Sequence, residues 1–364
     1  MSEELKDLQI PPHPIPSKPR LSDLLIGKAS KRRTAKSEWE RERGYMETKW
    51  KAFLGLNDLP LHKTPLNIQI TSIGKISSCS RYRLQYTIEN HGNFTTDAYL
   101  LVPDTILIKK FPAIVAFHQT NENHAKEAAG LGPGSPPNMA YGLQLAELGY
   151  VVLCPRNYIY LPTQTGSRER TELWRHNVNE MRRWYPKSKG ITRMIYDSMR
   201  AIDVLQSFAF VDPSSIGCFG HSLGAKQALY SAAFDQRFSA TVFSKGGVGL
   251  QESRTNWDAE WYLGSTFEQI NMDHHELLAL IAPRPFLLLA GGTIDPTHHP
   301  LPPGIRKGAD DEQSWKYIKA AMPVYDLLGQ PKNVGWWHHK LGHDYPKIAQ
   351  EVAREFLTKH LPPP

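Results

Sequence analysis

At 364 residues, 40% hydrophobic and 22% charged, the chain has the composition of an ordinary globular protein, with enough apolar material for one large domain or two modest ones. No apolar run approaches the roughly 20 residues of a membrane-spanning helix, and the polar, proline-rich start is unlike a secretory signal, so a cytoplasmic location is expected. The formal charge of +7 does not describe a nucleic-acid surface: between Arg168 and Arg193 eight Lys or Arg stand against three Glu, which gathers most of the excess into one segment.

Residues 1–36 carry Pro11, Pro12, Pro14, Pro16 and Pro19 and then the basic cluster Lys31, Arg32, Arg33, with little periodicity, and read as an extended or disordered arm. Residues 37–64 read as a helical extension. Trp39, Tyr45, Trp50, Phe53 and Leu54 fall near helical spacing after a Ser37 N-cap with Glu40 three residues on. Residues 65–364 read as the main domain. Its first segments, 67–72 and 81–89, alternate apolar and polar residues as half-exposed antiparallel strands do, and 98–103 follows. The runs 111–117, 150–154, 215–219, 240–244 and 285–291 are short and continuously apolar, which fits strands buried on both faces of a parallel sheet. Helices are predicted at 138–148, 191–208, 223–233, 273–281, 314–328 and 346–359.

This alternation predicts an α/β fold: a mostly parallel central sheet with an antiparallel edge and helices on both faces. Ligands then bind beyond the carboxyl ends of the strands. Residues 156–190, rich in Tyr, Trp and Arg, interrupt the alternation and are expected to form a cap insertion over that end. Cys79, Cys154 and Cys218 are widely separated and show no metal-ligand spacing. The pairs His274–His275 and His298–His299 lack further ligands, so no metal is expected.

The strongest local pattern is Gly220, His221, Ser222, Leu223, Gly224, a G-x-S-x-G between an apolar strand and an amphipathic helix. A serine there occupies a sharp turn that presents its hydroxyl, and glycines two residues to either side avoid collision with neighbouring backbone. His221 reads as a packed neighbour. A serine hydroxyl needs a histidine to take its proton and a carboxylate to hold that imidazole. His343, on the loop after the last strand-like run, is the candidate base, with His338 and His339 as competitors inside the run. Asp295, the first carboxylate after the strand 285–291, is the candidate acid, with Asp310, Asp311 and Glu312 as alternatives. Oxyanion donors are expected from the Leu223 amide at the helix start and from Gln119 or Thr120 after the strand 111–117.

These residues make the chain similar to the α/β-hydrolase superfamily over about residues 65–360. It resembles most the dienelactone-hydrolase-like and acetyl-xylan-esterase-like branch, through AFHQT at 116–120, GHSLGAKQAL at 220–229, DHHELLALIAPRPFLLLAGG at 273–292 and GHDYP at 342–346. The stretch DHHELLALIAPRP, with Lys226, also resembles the glucuronoyl esterases. Two departures stand out. Those enzymes carry Arg directly after the nucleophile, where this chain has Leu223, and some place the acid after the strand that follows the elbow helix, where this chain has Ser244, Lys245, Gly246 and Gly247. A strict dienelactone hydrolase uses a cysteine nucleophile, and this position is Ser222.

The resemblance implies ester-hydrolase chemistry without uronate specificity: an acyl-enzyme on Ser222, no cofactor, and a small-molecule ester substrate such as an acylated sugar or lactone, with no nucleic acid or membrane partner. A non-catalytic binding protein of this fold, or an amidase or peptidase with the same triad, are the alternatives. Candidate substrate contacts are His118, Trp184 and Arg182, near Tyr158, Tyr160, Trp174, Arg183 and Lys187. The plainer reading is that the aromatics pack the cap and the arginines face water.

Overall fold

The structure is a computed structural model that describes residues 21–26, 32–59, 64–89, 94–104, 110–121, 123, 125–132, 134, 136–162, 169–250, 257–264, 271–292 and 310–364. Most of the expected arm, and Asp295 with the His298–His299 pair, lie outside the described residues.

Nine described strands form one sheet: β1 (Gln69–Ile76), β2 (Cys79–Glu89), β3 (Phe94–Pro103), β4 (Phe111–Phe117), β5 (Val151–Pro155), β6 (Val211–His221), β7 (Phe238–Ser244), β8 (Phe286–Ala290) and β9 (Val334–His338). Their order is β1-β2-β3-β5-β4-β6-β7-β8-β9. The first three pair antiparallel, β3 joins β5 antiparallel, and every later neighbour is parallel. This is the mixed sheet that the two strand patterns predict.

The helices are α1 (Lys36–Leu54), α2 (Ala125–Ala128), α3 (Tyr141–Glu147), α4 (Arg170–Trp184), α5 (Gly190–Gln206), α6 (Leu223–Phe234), α7 (His274–Ile281), α8 (Trp315–Leu327) and α9 (Lys347–His360). They divide between two apolar cores, one on each face of the sheet. Strand β4 shows why a continuous apolar run is needed: Ala113, Val115 and Phe117 enter the core shared with α1 and α4 to α8, while Ile114 and Ala116 enter the core shared with α2, α3 and α9. No described helix is long and apolar enough to cross a membrane.

The start of the first helix differs from expectation. Helix α1 begins at Lys36 with Ala35, not Ser37, as its N-cap. Alanine offers no side-chain acceptor, so the compensation comes from Glu38, whose carboxylate reaches back to the Thr34 and Ala35 amides. The helix is held by Trp39 and Trp50, both fully buried, and the Trp50 indole donates to Glu276 of α7 at 2.7 Å.

Candidate active site

Ser222 lies between the last residue of β6 and the first of α6 with φ 55° and ψ −114°. A non-glycine residue held there is strained, and the strain persists only because the surroundings leave no other path. Two close approaches show this. A Cβ on Gly224 would stand 2.0 Å from the carbonyl oxygen of Phe117, and one on Gly220 would stand 2.0 Å from that of Gly224. The elbow is thus wedged against the end of β4, and the Ser222 amide donates to the Ser244 carbonyl at the end of β7 at 2.8 Å.

The second contributor comes from after β9. Lys340 and Gly342 both take positive φ, at 60° and 70°, in a tight loop. The loop is sewn to β8: the Gly342 amide donates to the Gly291 carbonyl at 2.7 Å and the His339 amide to that of Ala290 at 3.2 Å. The turn delivers His343 with Nε2 at 2.9 Å from Ser222 Oγ. That is the separation a general base needs for the hydroxyl proton. The competitors are spent elsewhere: His338 Nε2 donates to the Gly292 carbonyl at 2.6 Å, and His339 Nδ1 accepts from the Leu341 amide at 2.9 Å.

The expected oxyanion donors are backbone amides. Leu223 is the first residue of α6, whose opening amides have no partner within the helix. Gln119 follows β4 and is braced by its side chain, which donates to Glu127 of α2 and accepts from the Tyr141 hydroxyl at 2.8 Å; the same hydroxyl reaches the Phe117 carbonyl at 2.8 Å. His118 is buried and divided between two backbone partners. Its Nε2 accepts from the Asn157 amide at 3.0 Å, which leaves the proton on Nδ1 to donate to the Gln119 carbonyl at 2.8 Å. Asn157 in turn donates to Gln227 of α6 at 2.9 Å.

The outer candidates lie on α4 and the short turn before it. Arg182 of α4 pairs with Glu260 at 3.2 Å, and Trp184 ends that helix 52% exposed. Tyr158, Tyr160 and Trp174 are buried, with Trp174 edge-on to Tyr160 at 5.3 Å and to Trp261 at 5.0 Å, and His118 against Tyr160 at 5.4 Å. Among the acid alternatives, Asp310 uses one carboxylate oxygen for the Gly247 amide at 2.8 Å and the other for that of Val248 at 2.7 Å. Burial pushes its pKa up to about 6 despite those bonds. Asp311 accepts from the Gln313 amide as the cap of a short helical turn. Among the described residues no group of three or more His, Cys, Asp or Glu could hold a metal ion.

Sequence reasoning gave Lys245 no role. It follows β7 with φ 54° and is fully buried, and its Nζ has no hydrogen-bond partner among the described residues. Its position is fixed by Gly291, where a Cβ would meet Lys245 Cε at 2.4 Å, His339 Cε1 at 2.5 Å and the Gly342 carbonyl at 2.3 Å. Burial lowers its pKa to about 7 against the opposing pull of Asp344 and Asp310. The signal was the run Ser244–Gly247 at the end of an apolar strand, where a lysine breaks an otherwise small-residue turn.

The dienelactone hydrolase family model matches residues 96–260, a stretch that holds Gln119, Ser222 and Leu223 and ends before His343. Over nearly the whole chain the structure superposes on a glucuronoyl esterase from Solibacter usitatus, with a TM-score of 0.68 at 16% identity, covering 95% of this chain and 98% of that one. The chain has the α/β-hydrolase fold. By sequence, this α/β-hydrolase-fold chain is 36% identical over 173 residues to YtaP of Bacillus subtilis (strain 168), named as a hydrolase, covering 46% of this chain and 53% of that protein. It is 29% identical over 193 residues to carbohydrate esterase MZ0003 of an unknown prokaryotic organism, covering 44% and 42%. The chain therefore spans about half the length of the curated relatives it matches.

Proposed function

We propose that the chain hydrolyses carboxylic esters through an acyl-enzyme on Ser222. The observation that carries this reading is the 2.9 Å contact between His343 Nε2 and the hydroxyl of a serine held at φ 55°. His343 takes the proton as Ser222 Oγ attacks the ester carbonyl, and the Leu223 and Gln119 amides receive the oxyanion. The intermediate collapses, the C–O bond to the alcohol breaks, and His343 returns the proton to the leaving alkoxide. Water, deprotonated by the same imidazole, then attacks the acyl-enzyme and releases the acid. Asp295 is assigned as the carboxylate that orients His343; the engagement of both Asp310 oxygens with loop amides supports this choice.

The names of the relatives, a carbohydrate esterase and a glucuronoyl esterase, support a small ester with a sugar or lactone component as substrate. Residues 156–190 are assigned as a cap that shapes the entrance, with His118 contributing through the loop it holds and Trp184 and Arg182 at the rim. Ser222→Ala is expected to lower turnover of p-nitrophenyl acetate by about 10⁴-fold or more and to abolish labelling by a fluorophosphonate, with the circular dichroism spectrum unchanged. Retained turnover refutes the assignment. A screen of acetylated sugars and lactones with the same pair of proteins tests the substrate class.

A further inference from the structure

The two amides assigned to receive the oxyanion belong to separate segments: Leu223 opens α6, and Gln119 follows β4. Both must lie within hydrogen-bond reach of one oxygen, so their separation has to be held within narrow limits. Helix α6 meets the Gln119 loop at two places. At Gly224 the backbones touch: a Cβ there would stand 2.0 Å from the Phe117 carbonyl oxygen and 3.0 Å from that of His118. Such a contact resists closer approach and offers little against separation. The second place lies three residues on, on the same side of the helix. Gln227 Oε1 accepts from Asn157 Nδ2 at 2.9 Å, the Asn157 amide donates to His118 Nε2 at 3.0 Å, and His118 Nδ1 donates to the Gln119 carbonyl at 2.8 Å.

All four residues of this chain of bonds are buried, and its two side-chain amides can each face only one way. The Met194 carbonyl only accepts, so the Gln227 atom 3.1 Å from it is Nε2, and the oxygen is left for Asn157. The Ile159 amide only donates, so Asn157 turns Oδ1 toward it at 3.2 Å and Nδ2 toward Gln227. Reversing either amide would set like groups face to face in a site closed to water. We propose that Gln227 is a positioning residue which, through Asn157 and His118, ties the Gln119 loop to α6 and so limits how far the two oxyanion donors can part. The contact at Gly224 sets the lower bound on their separation, and the hydrogen-bonded chain sets the upper.

The inference rests on the serine-hydrolase reading, and the experiment separates the two. Gln227→Met keeps the length of the side chain and removes its acceptor, whereas Gln227→Glu keeps an oxygen for Asn157. With p-nitrophenyl acetate the Met variant is expected to lose about 10- to 30-fold in kcat with KM within about twofold, part of the loss that removing one oxyanion donor outright would cause. The Glu variant should stay within about threefold of wild type. A trifluoromethyl ketone adds to Ser222 Oγ, whose proton passes to His343, and leaves its charge on the former carbonyl oxygen. Its affinity for the Met variant should fall by the same factor as kcat/KM. The pH midpoint of kcat should not move, because the contacts of His343 are untouched. A Met variant with wild-type kcat, a Glu variant no better than Met, a shifted midpoint, or a loss of kcat without the matching loss of ketone affinity overturns the proposal, while loss of activity in Ser222→Ala shows that the hydrolase reading itself stands. Should the Met variant fail to fold, Asn157→Ser keeps a cap oxygen for the Ile159 amide and is too short to reach Gln227. It is expected to lower kcat by about 5- to 20-fold at constant KM, and unchanged kcat overturns the proposal equally.

Discussion

The elbow and helix α4 are the two most conspicuous parts of this sequence, and they owe that to different physics. Around Ser222 each position is dictated by backbone: two glycines that cannot carry a Cβ, a serine at positive φ, and a histidine, His343, delivered by a loop stitched to β8. Around α4 the tryptophans and arginines stand out by type alone, and the structure uses Trp174 to pack against Tyr160 and Trp261 and Arg182 to meet Glu260. A constraint on the main chain points to chemistry more reliably than an unusual side-chain composition does, because large aromatic and charged groups have abundant uses in packing and solvation.

Substitutions should separate the two regions by orders of magnitude. Ser222→Ala, His343→Ala and the double variant should each lose about 10⁴-fold or more in kcat and lie within about tenfold of one another, since groups acting as one unit do not add; single-turnover kinetics on the three proteins check this, and additive losses would mean that the two residues act apart. Gly224→Val forces the first turn of α6 away from the Phe117 carbonyl, and fluorophosphonate labelling should slow by about 100-fold or the protein should fail to fold. Tyr141→Phe removes the hydroxyl shared by Phe117 and Gln119; kcat should fall about 3- to 10-fold with little change in KM.

Lys245→Met probes the same region through stability. The folded pKa of Lys245, about 7, lies below its ordinary value of 10.5, so between these values the unfolded chain binds the additional proton and wild-type stability rises with pH. The variant lacks this contribution, so the difference in Tm, wild type minus variant, should climb between pH about 7 and about 10 and stay flat below. Lys226, whose pKa burial also lowers to about 7, is present in both proteins and cancels. A difference independent of pH would show that the amine titrates normally. Smallest of all, Arg182→Ala should change Tm by no more than about 2 °C, because a half-exposed ion pair contributes about 0–1 kcal/mol; a large loss of kcat/KM for one ester class in that variant would move α4 from packing into recognition.

The parallel centre and antiparallel edge of the sheet were legible because burial on both faces leaves a continuous apolar run, as in β4, and burial on one face leaves alternation. The residues Gly220 to Gly224 and Gly342–His343 were legible for a similar reason: a local pattern follows when backbone geometry is tight. Helix α4 was hidden, since its aromatic and basic residues suggested a segment without assigning its structure. The start of α1 was misplaced because a serine with a glutamate three residues on is a favourable cap, yet Glu38 caps the chain two residues earlier through the Thr34 and Ala35 amides. Asp310 could not be judged from its place in the chain. Its carboxylate serves amides at 247 and 248, a contact that exists only once β7 and β8 lie side by side. The burial of Lys245 at the end of β7 has the same origin, since Gly291 at the end of β8 closes over it.

The two members of the Ser222–His343 pair hang from opposite sides of the sheet. Ser222 opens α6, whose apolar residues enter one core, while His343 stands four residues before α9, whose Val352, Phe356 and Leu357 enter the other. A partial opening that lifts α9 from its face withdraws the imidazole and leaves the alcohol in a folded frame. Loss of turnover on heating should then run ahead of the cooperative melt, and amide exchange should reach the Lys347–His360 segment before it reaches Leu223–Phe234.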